Sequence, residues 1–389
     1  MRILFLTDIF PSKEEPALGT FVYELAHALL YKNQLVVICP QLWNPMMRKF
    51  HKTPGNHHDC VNEIKVYRPK LFIPPKGDRL VFRAIAYFLV SSLLIRKLRR
   101  QFSFDLIHAH MAGPAGFAAV LWGVILRKPV IITVHGSDIH SFPKHFLLKH
   151  IVLFALKRAT QIVAVSQSLK DSMSKMVRPK SEPLVIRNGA NHDVFFPMDK
   201  TVARGTLNLP HDKKIVLFIG NLLPVKGIDV LLRAFANIHN NKNSVSLIII
   251  GKGESGCELK DLTAVLNIET YVSFVGTKKH TEIPLWLNAC DVLCLPSHRE
   301  GFPTVIVEAF ACGRPVVATR VDGVPEAITN DTVGMLVSPN NAEELAAALN
   351  CALGKEWDHQ AIAEYGKRFS WDAIAEEYTE LYKNVVSGT

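Results

Sequence analysis

The stretch from residue 215 to residue 250 reads IVLFIGNLLPVKGIDVLLRAFANIHNNKNSVSLIII. It begins and ends with short, uniformly apolar runs, Ile215–Ile219 and Val245–Ile250, and its middle, Ile228–Ile238, has the apolar spacing of a helix. Strands that are apolar on both faces are typical of parallel sheets covered by helices on both sides. The stretch therefore predicts one strand–helix–strand unit of a parallel α/β domain.

The same alternation of short apolar runs and helical stretches continues along all 389 residues. The other runs are Ile3–Thr7, Leu35–Cys39, Ile64–Tyr67, Leu106–Ala109, Val130–Val134, Ile162–Val165, Leu184–Ile186, Tyr271–Val275, Val292–Leu295, Pro315–Ala318 and Met335–Val337. Six or seven strands in each half predict two Rossmann-like, doubly wound domains of the α/β class. Two such domains facing each other would form a cleft lined by the loops that follow the strands.

The boundary between the two domains is visible as a turn signal, Arg187-Asn188-Gly189, followed by a polar segment. We expect a first domain over residues 1–195 and a second over residues 196–369. In the remaining segment, 370–389, apolar residues from Trp371 to Leu381 repeat at helical spacing. This final helix could pack back on the first domain.

Charge is unevenly divided between the halves of the chain. The net charge is +10, from 45 Lys and Arg against 35 Asp and Glu. Residues 1–190 hold 27 basic and 11 acidic residues, whereas residues 191–389 hold 18 and 24. The sequence has no recognised nucleic-acid-binding motif, so a membrane surface or a phosphate-bearing substrate fits the basic half better than a nucleic acid does.

The longest apolar run, Ala84–Ile95, has twelve residues and is flanked by basic side chains. A membrane span needs about 20 residues, so the run is too short to be one. Two interpretations stay open for residues 79–100. The segment could be a packing helix with a solvated basic end, or a helix that lies on an anionic membrane surface.

Cysteine usage and the first residues of the chain favour the cytoplasm. There are seven cysteines without a C-x-x-C pair, and the N-terminal stretch lacks the long apolar region of a secretory signal. Cys290 and Cys294 are expected to be packed thiols rather than a disulfide. The expected location is therefore the cytoplasm, with peripheral attachment to the inner face of the cell membrane as an option.

Three loops that follow strands carry candidate binding residues, because ligands of open parallel sheets bind beyond the carboxyl ends of the strands. Gly19 stands directly before a helix, where free N–H groups can receive a phosphate. His135, in His-Gly-Ser-Asp, can donate, accept or move a proton. Lys226, followed by Gly227, combines a cation with a helix start. The alternatives are a plain loop glycine, a structural histidine and a surface lysine.

The loop after Val292–Leu295 is the most informative segment and reads PSHREGFPTVIVEA from residue 296 to residue 309. Glu300 and Glu308 could accept hydrogen bonds from the vicinal hydroxyls of a polyol. The N–H groups of Gly301, Phe302 and Thr304, beside Pro303 at a helix start, could hold phosphate oxygens. The alternative for Glu300 is ordinary charge at a helix N-terminus. The alternative for Glu308 is a solvated helix face, which does not suit its apolar neighbours.

Two weaker patterns point to other chemistry. Residues 251–256 match G-x-G-x-x-G, which favours a dinucleotide, but the acidic residue expected about 20 positions later, Glu269, precedes its strand rather than ending it. His108 and His110 could begin a metal site, but no third ligand is evident, so no metal is expected.

Taken together, these residues resemble the family 4 retaining glycosyltransferases, which are two-domain enzymes of the GT-B type. The resemblance covers nearly the whole chain. It rests on Gly19, on His135-Gly136-Ser137-Asp138, on Gly220 with Lys226-Gly227, and above all on the E-x7-E pattern from Glu300 to Glu308. A finer resemblance, to the bacterial teichuronic-acid and surface-polysaccharide branch, rests on the sequence GNLLPVKG at 220–227.

The resemblance implies a role for each of these residues. The second domain would bind a nucleotide-sugar and the first domain the acceptor. Lys226 would pair with the diphosphate, Glu300 with hydroxyls of the donor sugar, and Glu308 with the ribose. The residues expected beside the sugar, the phosphates or the ribose are Gly301, Phe302, Pro303, Thr304 and Val305. His135 would touch the donor sugar and, with Glu300, count as catalytic.

One departure from the family pattern concerns the diphosphate. Many members carry Arg after the strand-end glycine, where this sequence has Asn221, so Lys226 would be the main cation unless Lys252 or Arg299 compensates. The sequence has no D-x-D motif, and fixed cations and helix N-termini would replace a metal at the leaving diphosphate, so no cofactor is expected.

The function expected from the resemblance is a hexosyltransferase-type enzyme. It would move a sugar, with retention, from a UDP- or GDP-sugar to a lipid-linked or polysaccharide acceptor in the synthesis of bacterial surface glycans. Alternatives are a sugar-nucleotide epimerase or sugar-phosphate synthase of the same fold, a non-catalytic sugar-nucleotide-binding subunit, and an NAD-dependent oxidoreductase.

Overall fold

The computed structural model describes residues 1–43, 58–61, 63–72, 79–239 and 244–388, and the structural statements below concern that part of the chain. The chain divides into two compact units. Unit 1 comprises Met1–Lys13, Leu18–Arg187 and Trp371–Thr389. Unit 2 comprises the short segment Glu14–Ala17 together with Asn188–Ser370.

Unit 1 alternates strands and helices along the chain. Its elements are β1 (Arg2–Thr7), α1 (Thr20–Leu29), β2 (Gln34–Ile38), β3 (Gln41–Trp43), β4 (His58–Val61), β5 (Ile64–Tyr67), β6 (Lys70–Phe72), α2 (Arg79–Gln101), β7 (Leu106–His110), α3 (Pro114–Leu126), β8 (Val130–Val134), α4 (Ser137–His140), α5 (Phe146–Arg158), β9 (Gln161–Ala164), α6 (Gln167–Ser174) and β10 (Leu184–Val185).

The main sheet of unit 1 has the order β10-β9-β8-β7-β1-β2-β5-β4. Its pairs are parallel except at one edge, where β4 runs antiparallel to β5. The expected parallel α/β sheet is therefore confirmed, with an antiparallel edge strand that was not predicted. A separate parallel pair, β3 with β6, was not predicted either, since neither three-residue strand forms an apolar run of its own.

Helices cover both faces of this sheet. The chain crosses from β1 to β2 in one direction and from β7 through β8 to β9 in the other, so right-handed crossovers place α1 on one face and α3 and α5 on the opposite face. α2 packs against α3, and α3 packs against α5. The central strands β1, β7 and β8 are mostly apolar and are buried between the two helix layers.

The helix α15 (Trp371–Ser387) belongs to unit 1, although all of unit 2 precedes it in the chain. It packs beside α1. Its buried side chains join the core formed by α1, β1 and β2, and they are Trp371, Ile374, Ala375, Tyr378, Leu381 and Tyr382. The apolar repeat seen in the sequence is thus the buried face of this helix.

Unit 2 contains a second, entirely parallel sheet. Its elements are α7 (Lys200–Leu207), β11 (Lys214–Ile219), α8 (Ile228–His239), β12 (Val245–Ile250), α9 (Gly256–Val265), β13 (Val272–Gly276), α10 (Ile283–Ala289), β14 (Val292–Leu295), α11 (Thr304–Ala311), β15 (Val316–Thr319), α12 (Val324–Ala327), β16 (Gly334–Val337), α13 (Ala342–Gly354) and α14 (His359–Gly366). The strand order is β13-β12-β11-β14-β15-β16. The predicted doubly wound domain is confirmed.

The division between the units falls before Asn188 rather than at the expected position after residue 195. Two hydrogen bonds explain the difference. The Asn188 side-chain amide donates to the Phe302 carbonyl at 3.3 Å, and the Ala190 N–H donates to the Phe369 carbonyl at 2.7 Å. The segment that follows the turn is therefore already anchored in unit 2.

Candidate functional site

Lys226 and Glu300 are brought together at the carboxyl ends of β11 and β14, which are neighbours in the sheet of unit 2. Lys226 ends a short 3₁₀ turn, Pro224–Lys226, and its Nζ lies 2.6 Å from Glu300 Oε1. Both side chains are largely buried. From the sequence, each residue was predicted to bind the nucleotide-sugar, but the ion pair between them was not predicted.

Gly227 makes the approach of the two loops possible. Its φ is +62°, and a Cβ atom at this position would lie 2.2 Å from the carbonyl oxygen of Pro296, which is closer than any real contact. The His298 N–H also donates to the Val225 carbonyl at 2.8 Å. The loop after β11 therefore lies directly on the loop after β14.

Glu300 is held by two groups besides Lys226. The Ser297 hydroxyl donates to Glu300 Oε1 at 2.6 Å, and the Glu300 N–H donates to Asp322 Oδ2 at 3.0 Å. Ser297 is itself fully buried, and its carbonyl accepts a hydrogen bond from the Thr319 hydroxyl. The carboxylate thus has a fixed position, which is what orienting a sugar hydroxyl requires.

The helix α11 begins directly after this loop, with Pro303 before its first residue and without a side-chain cap. By contrast, Asp199, Asn341 and Asp358 cap the starts of α7, α13 and α14. Because the first N–H groups of a helix have no partner within it, the start of α11, from Gly301 to Val305, can receive an anion.

The side chain of Phe302 is buried against the ring of Phe369, with 5.8 Å between the ring centroids. Pro303 is buried as well. The resemblance implied that both residues line the sugar and the diphosphate. In the structure the Phe302 ring is part of the core, so any ligand contact of this residue has to come from its main chain.

Glu308 lies inside α11, is nearly fully buried, and makes its contact with His280 rather than with the loop of Glu300. The His280 Nε2 lies 2.9 Å from Glu308 Oε1. Phe195 packs on the imidazole at a centroid distance of 5.0 Å. His280 was missed in the sequence, although it stands in the loop after β13, where the rule about strand ends directs attention.

The first two glycines of the G-x-G-x-x-G pattern allow the loop after β12 to lie against the main chain of the loop after β11. Gly251 has a φ of +146°, and an added Cβ atom would lie 1.8 Å from the Gly220 carbonyl oxygen. At Gly253 the added atom would lie 2.2 Å from the Leu222 carbonyl oxygen, which accepts a hydrogen bond from the Ser255 N–H at 3.1 Å. The pattern therefore positions the loop that carries Lys226, which accounts for it without a dinucleotide.

Asn221 is exposed beside this loop, and so are Lys252 and Arg299, the two cations that could compensate for the missing arginine. Within the described ranges, no group of three His, Cys, Asp or Glu side chains is arranged to hold a metal ion. The independence from metal stays a prediction.

In unit 1, Gly19 precedes α1 and has a φ of +73°. A Cβ atom here would lie 2.8 Å from the carbonyl carbon and the carbonyl oxygen of Ile9, so the glycine lets the helix start lie against the loop after β1. As at α11, no side chain caps this helix. The N–H groups at the start of α1 could therefore bind a phosphate.

His135 follows β8 and is held in its loop by Asp138. The buried Asp138 carboxylate accepts hydrogen bonds from the N–H groups of His135, Gly136 and Ala112 at 2.9–3.1 Å. This explains the spacing of His-Gly-Ser-Asp. The His135 ring packs on Phe21 at a centroid distance of 4.6 Å, and its Nε2 lies 3.2 Å from His110 Nδ1.

His108 and His110 belong to a buried polar cluster beneath His135. His108 Nδ1 lies 2.7 Å from the Tyr382 hydroxyl, and His108 Nε2 lies 2.8 Å from the Thr133 hydroxyl, which is 3.0 Å from the Tyr378 hydroxyl. The two tyrosines come from α15. The sequence did not predict that His110 is the neighbour of His135 or that α15 supports the cluster.

Burial lowers the pKa of all three histidines. The pKa of His135 falls to about 3 because of desolvation, and that of His108 falls to about 3 because of desolvation and the neighbouring His135. The pKa of His110 lies well below its usual value for the same reasons, with His108 as a further neighbour. At neutral pH the imidazole of His135 is therefore uncharged and can donate or accept a hydrogen bond.

We expect unit 1 to lose stability as the pH falls from 7.5 to 5.5. The unfolded chain takes up protons on His108, His110 and His135 near pH 6.5, whereas the folded unit does not, so each contributes a loss of about 1.4 kcal/mol per pH unit below that value. This loss of stability can be measured by urea unfolding at each pH, with hydrogen exchange in peptides covering residues 106–134 as the probe of unit 1.

The raised pKa values of the buried carboxyls of Asp8 and Asp138 act in the opposite direction, since these groups bind protons more readily in the folded state at lower pH. The exposed His211 lies in unit 2, so its replacement by glutamine is a control that removes a histidine without touching the three buried imidazoles. A stability of this region that stays level from pH 7.5 to pH 5.5 would contradict the neutral assignment of the three imidazoles.

Comparison with known proteins matches both units to families. The family model described as "Glycosyltransferase Family 4" matches residues 18–194, and the one described as "Glycosyl transferases group 1" matches residues 199–369. A candidate teichuronic acid biosynthesis glycosyltransferase of Bacillus subtilis, TuaC, is 28% identical over 374 residues, which are 93% of this chain and 90% of that protein.

Solved structures of the same fold cover the chain from end to end. The sucrose-phosphate synthase of Thermosynechococcus elongatus has a TM-score of 0.81 and 22% identity over the whole of both chains. The Anabaena protein HepE, solved in complex with UDP-glucose, has a TM-score of 0.74 and 24% identity over 99% of this chain and 100% of its own.

The two parallel-sheet units and these structural neighbours define a protein of the GT-B type. The chain belongs to glycosyltransferase family 4 and is an enzyme that transfers sugars. The family predicted from the sequence motifs, the fold class and the enzyme class are confirmed.

Proposed function

We propose that the protein is a retaining glycosyltransferase that moves a hexosyl group from a UDP- or GDP-sugar to a lipid-linked or polysaccharide acceptor in bacterial surface-glycan synthesis. The observation that carries the proposal is the Lys226–Glu300 pair at the uncapped start of α11. It combines a cation and free N–H groups for a diphosphate with a fixed carboxylate for sugar hydroxyls.

Each residue of unit 2 then has a defined task. The Lys226 ammonium has three N–H donors, so it can keep Glu300 in place and still donate to a phosphate oxygen. Ser297 and the Asp322 carboxylate keep the loop of Glu300 in position. Glu308, oriented by His280, accepts hydrogen bonds from the ribose hydroxyls. The binding of the donor would thus depend on fixed groups rather than on a metal.

The reaction proposed here needs no enzyme nucleophile. The bond between the anomeric carbon and the diphosphate oxygen breaks while a bond to the acceptor oxygen forms on the same face of the sugar. The acceptor proton passes to the leaving phosphate. Lys226 and the start of α11 stabilise the charge that develops on the diphosphate, and the uncharged His135 offers a hydrogen bond to the donor sugar.

Other features support the finer parts of the proposal. The relative TuaC is named for teichuronic acid biosynthesis, which favours a surface-glycan acceptor. The cysteines Cys39, Cys257, Cys290, Cys294, Cys312 and Cys351 are free thiols, which suits a reducing cytoplasm, where we propose that the reaction takes place. Because HepE was solved with UDP-glucose bound, this nucleotide-sugar is the first donor to test.

We expect UDP or GDP, but not both equally, to raise the melting temperature of the protein by several degrees without added metal. At a hundredfold excess over Kd, a ligand of the native state adds about 2.7 kcal/mol of stability. Differential scanning fluorimetry with 1 mM UDP, GDP or AMP, each with and without EDTA, would measure the shift.

Stabilisation that disappears in EDTA would contradict the metal-independent site, and no shift with either diphosphate would contradict the donor class. Product analysis with the matching nucleotide-sugar alone separates an epimerase from a transferase. Transfer activity that is unchanged in Glu300→Gln and His135→Ala would favour a non-catalytic binding subunit instead.

A further inference from the structure

The helices α2, α3 and α5 form one layer of unit 1, and the outer side of this layer is unusually apolar. Large apolar side chains with exposed fractions between 44% and 76% occur on all three helices. They include Phe82, Ile85, Leu89 and Leu93 on α2, Val124 on α3 and Phe146 on α5. We refer to this outer side as the α2–α3–α5 surface.

The helix α2 has two apolar faces instead of one. Its inner face packs in unit 1, where Ala84, Tyr87 and Ile95 are fully buried. Its four exposed apolar residues follow one another at spacings of three, four and four, which places them in a single stripe along the opposite side. The exposed fractions of Leu89 and Leu93 are 59% and 76%. A helix that only covers a core would be polar on this side.

The same stripe continues into two arginines. Arg96 and Arg100 follow Leu93 at spacings of three and four, so they lie on the same side of α2, and both are exposed. The outer side of α2 is therefore apolar over its first turns and cationic at its C-terminal end. This combination is typical of a helix that lies in the plane of a membrane interface.

All the charged side chains of the three helices are positive. None of the three helices contains Asp or Glu, whereas α2 ends in Arg96, Lys97, Arg99 and Arg100, and α5 carries Lys149, Lys157 and Arg158. A second copy of this chain would bring its own cations against these, so a symmetric dimer through this surface would be electrostatically unfavourable. An anionic lipid headgroup region complements both the apolar stripe and the cations.

We propose that unit 1 docks on an anionic lipid bilayer through the α2–α3–α5 surface. The exposed apolar side chains enter the boundary between headgroups and acyl chains, and Arg96 and Arg100 contact the headgroup phosphates. Among the described helices, none contains a stretch of 18 residues that is apolar enough to span a membrane. The docking does not depend on which donor or acceptor the enzyme uses.

The test is flotation of the purified full chain with vesicles of phosphatidylcholine, with or without 30% phosphatidylglycerol, in 50 mM and 500 mM NaCl. We expect binding to the anionic vesicles in low salt. Arg96→Gln/Arg100→Gln should lower the partition coefficient about thirtyfold, which corresponds to about 1 kcal/mol for each arginine. The matched control is Lys175→Gln/Arg178→Gln, which removes two exposed cations outside the three helices.

Leu89→Glu/Leu93→Glu should abolish binding to the vesicles. The matched control is Val202→Glu/Val265→Glu, which changes two exposed apolar residues of unit 2 and should leave binding unchanged. Melting curves establish that each variant is folded; should the glutamate pair unfold the protein, the arginine pair still decides. Equal flotation of wild type and both variants would overturn the proposal. So would a dimer, seen by light scattering, that the glutamate pair dissociates. In the same variants, UDP or GDP should still raise the melting temperature. A loss of vesicle binding with this shift intact would show that the docking surface and the nucleotide-sugar site are separate.

Discussion

Lys226→Met is expected to lower kcat/KM for sugar transfer by about 10²–10³-fold, the loss typical of removing one preorganised group that stabilises developing charge. Methionine keeps an unbranched apolar side chain of nearly the same length but removes the cation beside the diphosphate. The charge on the leaving group grows in the transition state, so the loss should appear mainly in kcat. Release of the nucleoside diphosphate, followed in a coupled assay, measures both constants.

Lys260→Met is the matched control, since Lys260 is an exposed lysine on α9 of the same unit, and it should stay within a fewfold of wild type. Because Lys226 Nζ and Glu300 Oε1 are only 2.6 Å apart, we expect the effects of Lys226→Met and Glu300→Gln not to add in the double variant. A Lys226→Met enzyme with nearly full activity would remove this cation from the mechanism.

Gly251→Ala is expected to destabilise unit 2 by about 3 kcal/mol or more, the range reached when backbone strain and a steric conflict combine. The methyl group would lie 1.8 Å from the Gly220 carbonyl oxygen, and the φ of +146° is one that alanine rarely adopts. Either the loop after β11 or the loop after β12 has to move. Urea unfolding of the variant, compared with wild type, measures the loss.

Two other glycines separate strain from steric conflict. Gly276 has a φ of +72°, but an added Cβ would meet nothing within 4 Å, so Gly276→Ala should cost only about 1 kcal/mol. Gly205, inside α7, has an ordinary φ and open space, and Gly205→Ala should raise stability by about 0.5–1 kcal/mol. If Gly251→Ala costs no more than Gly276→Ala, the close approach of the two loops is not essential.

The strands of both units could be predicted because parallel strands are buried on both faces and therefore appear as apolar runs such as Ile3–Thr7. This signal is absent from the edge strand β4, His58–Val61, whose sequence HDCV has no such run. Its pairing with β5 depends on the adjacent chain, and a single stretch of sequence does not contain that information.

The site was predictable to the extent that strand ends determine it. Lys226, Glu300 and His135 all follow strands, and the structure places them there. The ion pair of Lys226 with Glu300 and the contact of His280 with Glu308 were not predictable, because each joins segments that are distant in sequence. The burial of the Phe302 ring was missed for the same reason, since it depends on Phe369.

The late position of α15 in the chain has a consequence for biosynthesis. Tyr378 and Tyr382 complete the polar cluster around His108, and Trp371 and Ile374 complete the core beside α1. A ribosome releases all of unit 2 before it releases these side chains. Until then, the nascent unit 1 exposes the apolar side chains that α15 covers and lacks the hydrogen-bond partner of His108 Nδ1. We expect chaperones to bind this incomplete unit during synthesis, because exposed apolar surface makes such intermediates prone to aggregation.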